Sequence, residues 1–145
     1  MKNIFNIGFR QRQLDWWLLI LRVLVGLFML THGMPKFFKL MAGGDIRFAD
    51  PIGFGPTISL ILTVFAEMVC STFILIGLGT RMAAVPLIIT MFVIIFVVHG
   101  GDPFGDKEPA FLYLLIYITL LVTGSGKYSI DYLLSKDGKG TRYKL

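Results

Sequence analysis

Pro56-Thr57-Ile58-Ser59-Leu60-Ile61-Leu62-Thr63-Val64-Phe65-Ala66-Glu67-Met68-Val69-Cys70-Ser71-Thr72-Phe73-Ile74-Leu75-Ile76-Gly77 is the stretch that decides the fold. As a helix it is long enough to cross a bilayer. Yet it carries Glu67 near its middle, where a carboxylate is expensive unless it faces protein or water and has a partner. Ser59, Thr63, Glu67 and Ser71 recur every four residues and therefore share one helical face.

The surrounding composition fits a membrane protein. The chain has 145 residues, 55% of them hydrophobic, and a mean hydropathy of +0.74, whereas soluble domains sit at roughly 45–50% apolar. The excess falls in four blocks. The spans expected are 14–34, 56–77, 82–99 and 108–124, giving an all-α, integral membrane four-helix bundle. A short interfacial segment, 1–13, precedes the four-span domain, 14–134, and a polar tail, 135–145, follows it. Arg22 in the first apolar run, and no small-residue cleavage site after it, argue against a secretory signal, so the N-terminus is expected to be retained. The connection 35–55 mixes Lys36, Lys39 and Arg47 with Phe37, Phe38, Leu40 and Phe48, as a loop at the bilayer interface would. Ile130 to Leu134 reads as a short surface helix.

Net charge is +5. The basic residues flank apolar blocks, a pattern of topology and anionic headgroups; no nucleic-acid partner is expected. Four spans place the termini and the Arg81 turn on one face with Lys2, Arg10, Arg12, Arg81, Lys127, Lys136, Lys139, Arg142 and Lys144. Only Lys36, Lys39, Arg47 and Lys107 fall on the other. Both termini are therefore expected in the cytoplasm of a bacterial-type plasma membrane. The lone Cys70 forms no internal disulfide and no dithiol relay.

Two groups of residues could carry chemistry. If the first span ends near His32 and the second starts at Pro56, Arg22 and Glu67 lie at the same depth, roughly 15–16 Å in. They are then expected to form an intramembrane pair, either functional or a clasp between helices. Gly26 and Gly33 share the Arg22 face and would let the second span approach closely. The second group lies outward: His32 and Lys36 after the first span, His99 after the third, and Glu108 with Asp102 and Asp106 before the fourth. This set could hold the headgroup of a quinone near Phe28, Phe96 and Phe104, since such a site needs an apolar slot and proton-handling donors. Two histidines with carboxylates could also bind a metal, but the spacing matches no metal motif and no metal is assigned. No phosphate loop, nucleophile elbow or c-type haem motif is present.

An ordered set of short motifs runs through the chain: Thr31-His32-Gly33-x-x-Lys36, Ala66-Glu67, Gly77-Leu78-Gly79-Thr80-Arg81-Met82-Ala83-Ala84, the segment Met91 to His99, and Gly124-x-Gly126-x-x-Ser129-Ile130-Asp131. This set, over about residues 16–134, resembles the DoxX family of small bacterial and archaeal membrane proteins. The resemblance implies four spans. It also implies association with membrane oxidoreductases, since some members look like the quinone-facing subunit of a thiosulfate:quinone oxidoreductase.

The expectation is thus a membrane subunit that binds quinone or a similar small redox partner within an oxidoreductase complex. Its partners would be membrane lipid, quinone, and soluble or membrane oxidoreductase subunits. It would carry no covalent cofactor, and catalysis by the chain alone is not expected, because electrons must arrive from elsewhere. The alternatives are a non-enzymatic scaffold or transport component with a structural Arg22–Glu67 pair, and proton conduction along a line from Glu67 to the outer histidines.

Overall fold

The structure, a computed structural model, describes residues 10–137. Most of the 1–13 segment, the end of the 135–145 tail, and Lys2, Lys139, Arg142 and Lys144 lie outside these residues. The described residues contain helices and no strand.

Helix α1 spans Gln11–Ala42. It does not stop near Met34: Pro35 sits inside it, and the helix ends only where Gly43 takes a positive φ of 65°. Proline cannot donate to the Thr31 carbonyl, but intramembrane helices tolerate such a break where neighbours support them. The loop 43–55 then tightens around Asp50. That carboxylate accepts from Phe54 N (3.1 Å), Gly55 N (2.9 Å) and the Ser59 hydroxyl (2.7 Å), tying the loop to the start of α2. The Ser59 hydroxyl, aided by backbone N–H groups of Gly55, Phe54 and Gly53, holds the Asp50 carboxyl below its usual range.

Helix α2 runs Pro56–Ile76, with Pro56 at its first turn. Its middle, Phe65–Cys70, is a π-helical turn that carries Glu67. It closes at Gly77 in the left-handed region, with Gly77 N bonded to Ile74 O and Leu78 N to Phe73 O. Helix α3 is Thr80–Val98, and its last turn, Ile94–Val98, is again π-helical. Helix α4 is Phe104–Thr123, and α5 is Ile130–Asp137, entered through a Ser129 hydroxyl that accepts Tyr132 N at 3.2 Å.

Helices α1, α2 and α3 are each long and apolar enough to cross a membrane. Helix α4 is 20 residues long, but Asp106, Lys107 and Glu108 occupy its first turns. Each helix packs on the next, and α4 returns to α1, closing a four-helix bundle. Its core comes from one stripe of each helix, for example Leu18, Val25 and Met29 of α1 and Leu87, Met91 and Ile95 of α3. The outward surfaces are equally apolar: Met82, Leu115 and Val122 are all exposed. Water would penalise such a surface, whereas lipid accepts it.

The register of α1 against α2 positions the site. A Cβ added to Gly26 would lie 2.9 Å from Leu75 Cβ and 3.2 Å from Ser71 O. One added to Gly33 would lie 2.9 Å from Met68 Cγ and 3.0 Å from Glu67 Cβ. The small-residue face of α1 therefore meets the Ser71–Glu67 face of α2 at close range, with Gly33 level with Glu67.

Candidate intramembrane site

Arg22 and Glu67 are not partners. Glu67 is buried, and both its oxygens accept from Lys36 Nζ, at 2.5 and 2.6 Å. Arg22, fully buried, lies against the C-terminal end of α2. Its guanidinium donates to Ile74 O (3.4 Å) and Tyr128 O (2.5 Å), and a Cβ on Gly77 would overlap it. The expected pairing fails because α1 continues through Pro35. Pro56 therefore faces the region of Ala42 rather than His32, and the register shifts by more than two turns. Glu67 then sits level with Gly33, about 16 Å along the axis from Arg22.

Arg22 is instead a staple. Ile74 O belongs to the last turn of α2, where it also accepts Gly77 N and where a cation is favoured. Tyr128 O belongs to the segment leading into α5. One side chain thus binds the end of α2 and the approach to α5 onto α1. Asp131 continues this knot: its carboxylate accepts Gly79 N (2.6 Å) and Thr80 N (3.1 Å), capping α3, while its own N–H donates to Gly77 O at 2.8 Å.

The polar groups at the Glu67 level come from three helices. Lys36 lies one turn beyond His32 on α1, and its side chain is 29% exposed, against 2% for that of Glu67. His32 is exposed and meets the Tyr113 ring of α4 edge-on, with centroids 6.0 Å apart. Tyr113 stacks at 6.1 Å on Tyr117, which is fully buried. Among the described residues, the hydroxyls of Tyr117 and Ser71 have no hydrogen-bond partner. From α3 nothing titratable faces Glu67, because Met82 to Val98 contains no such residue.

Tyr113 also lines an apolar cleft of about 350 Å³ between α1 and α4, with Leu21, Leu24, Val25, Phe28, Pro109, Leu112 and Ile116. On α1 the cleft runs from Leu21 to Phe28, one turn short of His32, and Tyr113, edge-on to the His32 ring, joins it to that level.

The outer group expected from sequence divides. His32 and Lys36 join the Glu67 site. His99 Nδ1 instead pairs with Asp102 Oδ2 at 2.7 Å inside its own loop. Lys107 Nζ, from the start of α4, ties that loop through Gly100 O at 2.8 Å. Glu108 is exposed on α4, which starts four residues earlier than expected. Among the described residues, no hydrogen bond joins His99 or Glu108 to His32, Lys36 or Glu67. The phenylalanines divide too. Phe28 lines the α1–α4 cleft, while Phe96 and Phe104 both stand against Phe111, at 6.4 and 5.8 Å. No cluster of three or more His, Cys, Asp or Glu is present among the described residues.

Asp15 escaped the sequence reading. It is 2% exposed, and its Oδ1 accepts Lys127 N and Gln11 Nε2, each at 3.3 Å. The signal was available: Asp15, Leu18, Arg22, Val25, Gly26, Met29 and Gly33 form one continuous buried face of α1. Tyr113 was visible only as an aromatic inside a span, and the π turn at Glu67 has no sequence mark.

Comparisons with known proteins agree with this architecture. The model of the DoxX family matches residues 17–100. The chain is 32% identical over 122 residues to "Putative oxidoreductase CatD" of Bacillus subtilis (strain 168), covering 83% of this chain and 89% of that protein. It is 37% identical over 131 residues to an uncharacterized membrane protein of Mycobacterium tuberculosis, covering 80% of each. An uncharacterized protein of Haemophilus influenzae is 29% identical over 126 residues. No solved structure matches. A family match over more than half the chain, relatives aligned along most of their length, and a closed bundle of apolar helices lead to one conclusion: this chain is a membrane protein of the DoxX family.

Proposed function

We propose that this protein is a membrane subunit of an oxidoreductase complex that binds quinone, or a similar small redox partner, at the Lys36–Glu67 level. One observation carries the reading: an apolar cleft on the bundle's side reaches, through Tyr113, the same level as a buried ion pair and an exposed histidine. A lipid-soluble ring with polar substituents needs that combination of apolar walls and a few convergent polar groups. The Bacillus relative's name adds a hint toward redox chemistry.

In this reading the cleft between Leu21–Phe28 and Pro109–Ile116 takes the apolar body of the ligand. Lys36, His32 and the Tyr113 hydroxyl supply donors to its oxygens. Glu67 holds Lys36 in position through both its oxygens. The quinone supplies two-electron, two-proton redox chemistry, and the electrons come from a partner subunit. The Arg81 face lies in the cytoplasm of a bacterial plasma membrane, following the nine-to-four excess of Lys and Arg in the sequence. His99 and Glu108 stand outside the site.

The test is ligand binding by purified protein in detergent. A short-chain quinone is expected to raise the melting temperature of the wild type, and His32→Ala and Lys36→Met are expected to weaken that shift. His99→Ala is expected to leave it unchanged. No shift in the wild type would refute quinone binding. It would favour a non-enzymatic scaffold or transport component, a reading supported by Arg22, whose bonds are wholly architectural.

A further inference from the structure

Two motif stretches that the intramembrane site leaves unused, Gly77–Ala84 and Gly124–Asp131, meet on the Arg81 face. They enclose a cavity of about 340 Å³ whose lining includes Asp15, Thr80, Arg81, Ser125, Lys127 and Asp131. Its hydrogen-bond inventory is lopsided. The acceptors are committed: Asp131 to Gly79 N and Thr80 N, and Asp15 to Lys127 N and Gln11 Nε2. The donors are in surplus. The Arg81 guanidinium makes one bond, to Val122 O at 3.1 Å, and the Lys127 ammonium has only a 3.7 Å approach to Asp15. Thr80 is fully buried, and among the described residues its hydroxyl has no partner.

Two cations, Arg81 and Lys127, line the cavity together with two carboxylates, Asp15 and Asp131, whose oxygens are already bonded. A group rich in acceptors and negatively charged fits this cavity, and a guanidinium beside an ammonium suits phosphate oxygens. Exposed Trp16 and Trp17 at this end of α1, and exposed Met82 in the cavity lining, suit the level of lipid headgroups.

We propose that this cavity binds a phosphate group through Arg81, Lys127 and the Thr80 hydroxyl. The site is separate from the Lys36–Glu67 level and does not depend on quinone binding. Phospholipid headgroups and free phosphate share the chemistry, and the experiment separates them. Purified full-length protein in detergent is titrated with phosphatidylglycerol, with diacylglycerol, and with inorganic phosphate, following melting temperature and native mass spectra. A shift with phosphatidylglycerol and none with diacylglycerol or phosphate assigns the site to lipid. A shift with inorganic phosphate as well assigns it to the free ion. K127Q, at an exposed position that leaves the core intact, is expected to weaken the effective ligand about tenfold, and R81Q/K127Q to abolish its effect. An equal shift with diacylglycerol, no shift with any of the three, or an effect unchanged in K127Q would overturn the proposal.

Discussion

Two buried charges meet α2 inside the bundle, and they are satisfied differently. At the Arg81 end, Arg22 gives its donors to the backbone carbonyls of Ile74 and Tyr128. In the middle of α2, Glu67 is bonded to a side chain, Lys36, which is itself partly exposed. Backbone partners are fixed by the fold and cannot leave, so Arg22 is bound to the architecture. A side-chain partner on a four-carbon stem has freedom to move, so the Glu67 pair is free to open where the Arg22 contacts are not. On the function proposed above, the first charge holds helices together and the second meets a ligand.

The comparison breaks most visibly at Arg22. Replacing it with Met removes two hydrogen bonds from a buried charged donor, although Ile74 O keeps Gly77 N, and should lower stability by about 2–4 kcal/mol. Unfolding in mixed micelles would read the loss. A stability near that of the wild type would mean Arg22 is no staple.

Next comes a double-mutant cycle. Lys36→Met and Glu67→Leu should each destabilise, and the double variant should recover much of the loss, giving a coupling of roughly 1–3 kcal/mol. Arg22→Met with Glu67→Leu should be additive within about 0.5 kcal/mol, because the two sites share no partner. Coupling between Arg22 and Glu67 in place of Lys36 and Glu67 would reverse the assignment.

Gly33→Ala tests the level itself. Its new Cβ would press on Met68 Cγ, which can yield, and on the Glu67 backbone, which cannot. A loss of about 1–2 kcal/mol is expected, together with weaker quinone binding as α2 is pushed away from Lys36. Unchanged binding would show that the ligand does not need this register.

The smallest effect expected is at Asp50, whose pKa is depressed in the folded chain by the Ser59 hydroxyl and nearby N–H groups. A depressed carboxyl contributes stability above its unfolded pKa of about 4 and loses it as pH falls through the lower folded value. Melting temperature should therefore fall on acidification below about pH 4 by slightly more in the wild type than in Asp50→Asn.

The four spans were legible because lipid-facing helices must be apolar along their length, and lysine and arginine cluster at their ends. The buried face of α1 was legible because it repeats at three- and four-residue intervals from Asp15 to Gly33, although the reading stopped short of Asp15. The partner of Glu67 was not legible. An end of the first span near His32 puts Arg22 level with Glu67, but α1 runs through Pro35 to Ala42. The π turns at Phe65–Cys70 and Ile94–Val98 left no trace either, since an extra residue in a turn changes geometry without changing composition. Both errors are of register, and register is what decides which charges meet.

Arg22 bears on leakage as well as on assembly. The bundle interior carries Glu67, Ser71 and Tyr117 in succession, a row that in isolation would let protons hop along it. A cation at its Arg81 end, held in place by two carbonyls, would repel any positive carrier that reached it, much as an arginine excludes protons from a narrow water pore. The same guanidinium that fastens three segments would then also insulate them.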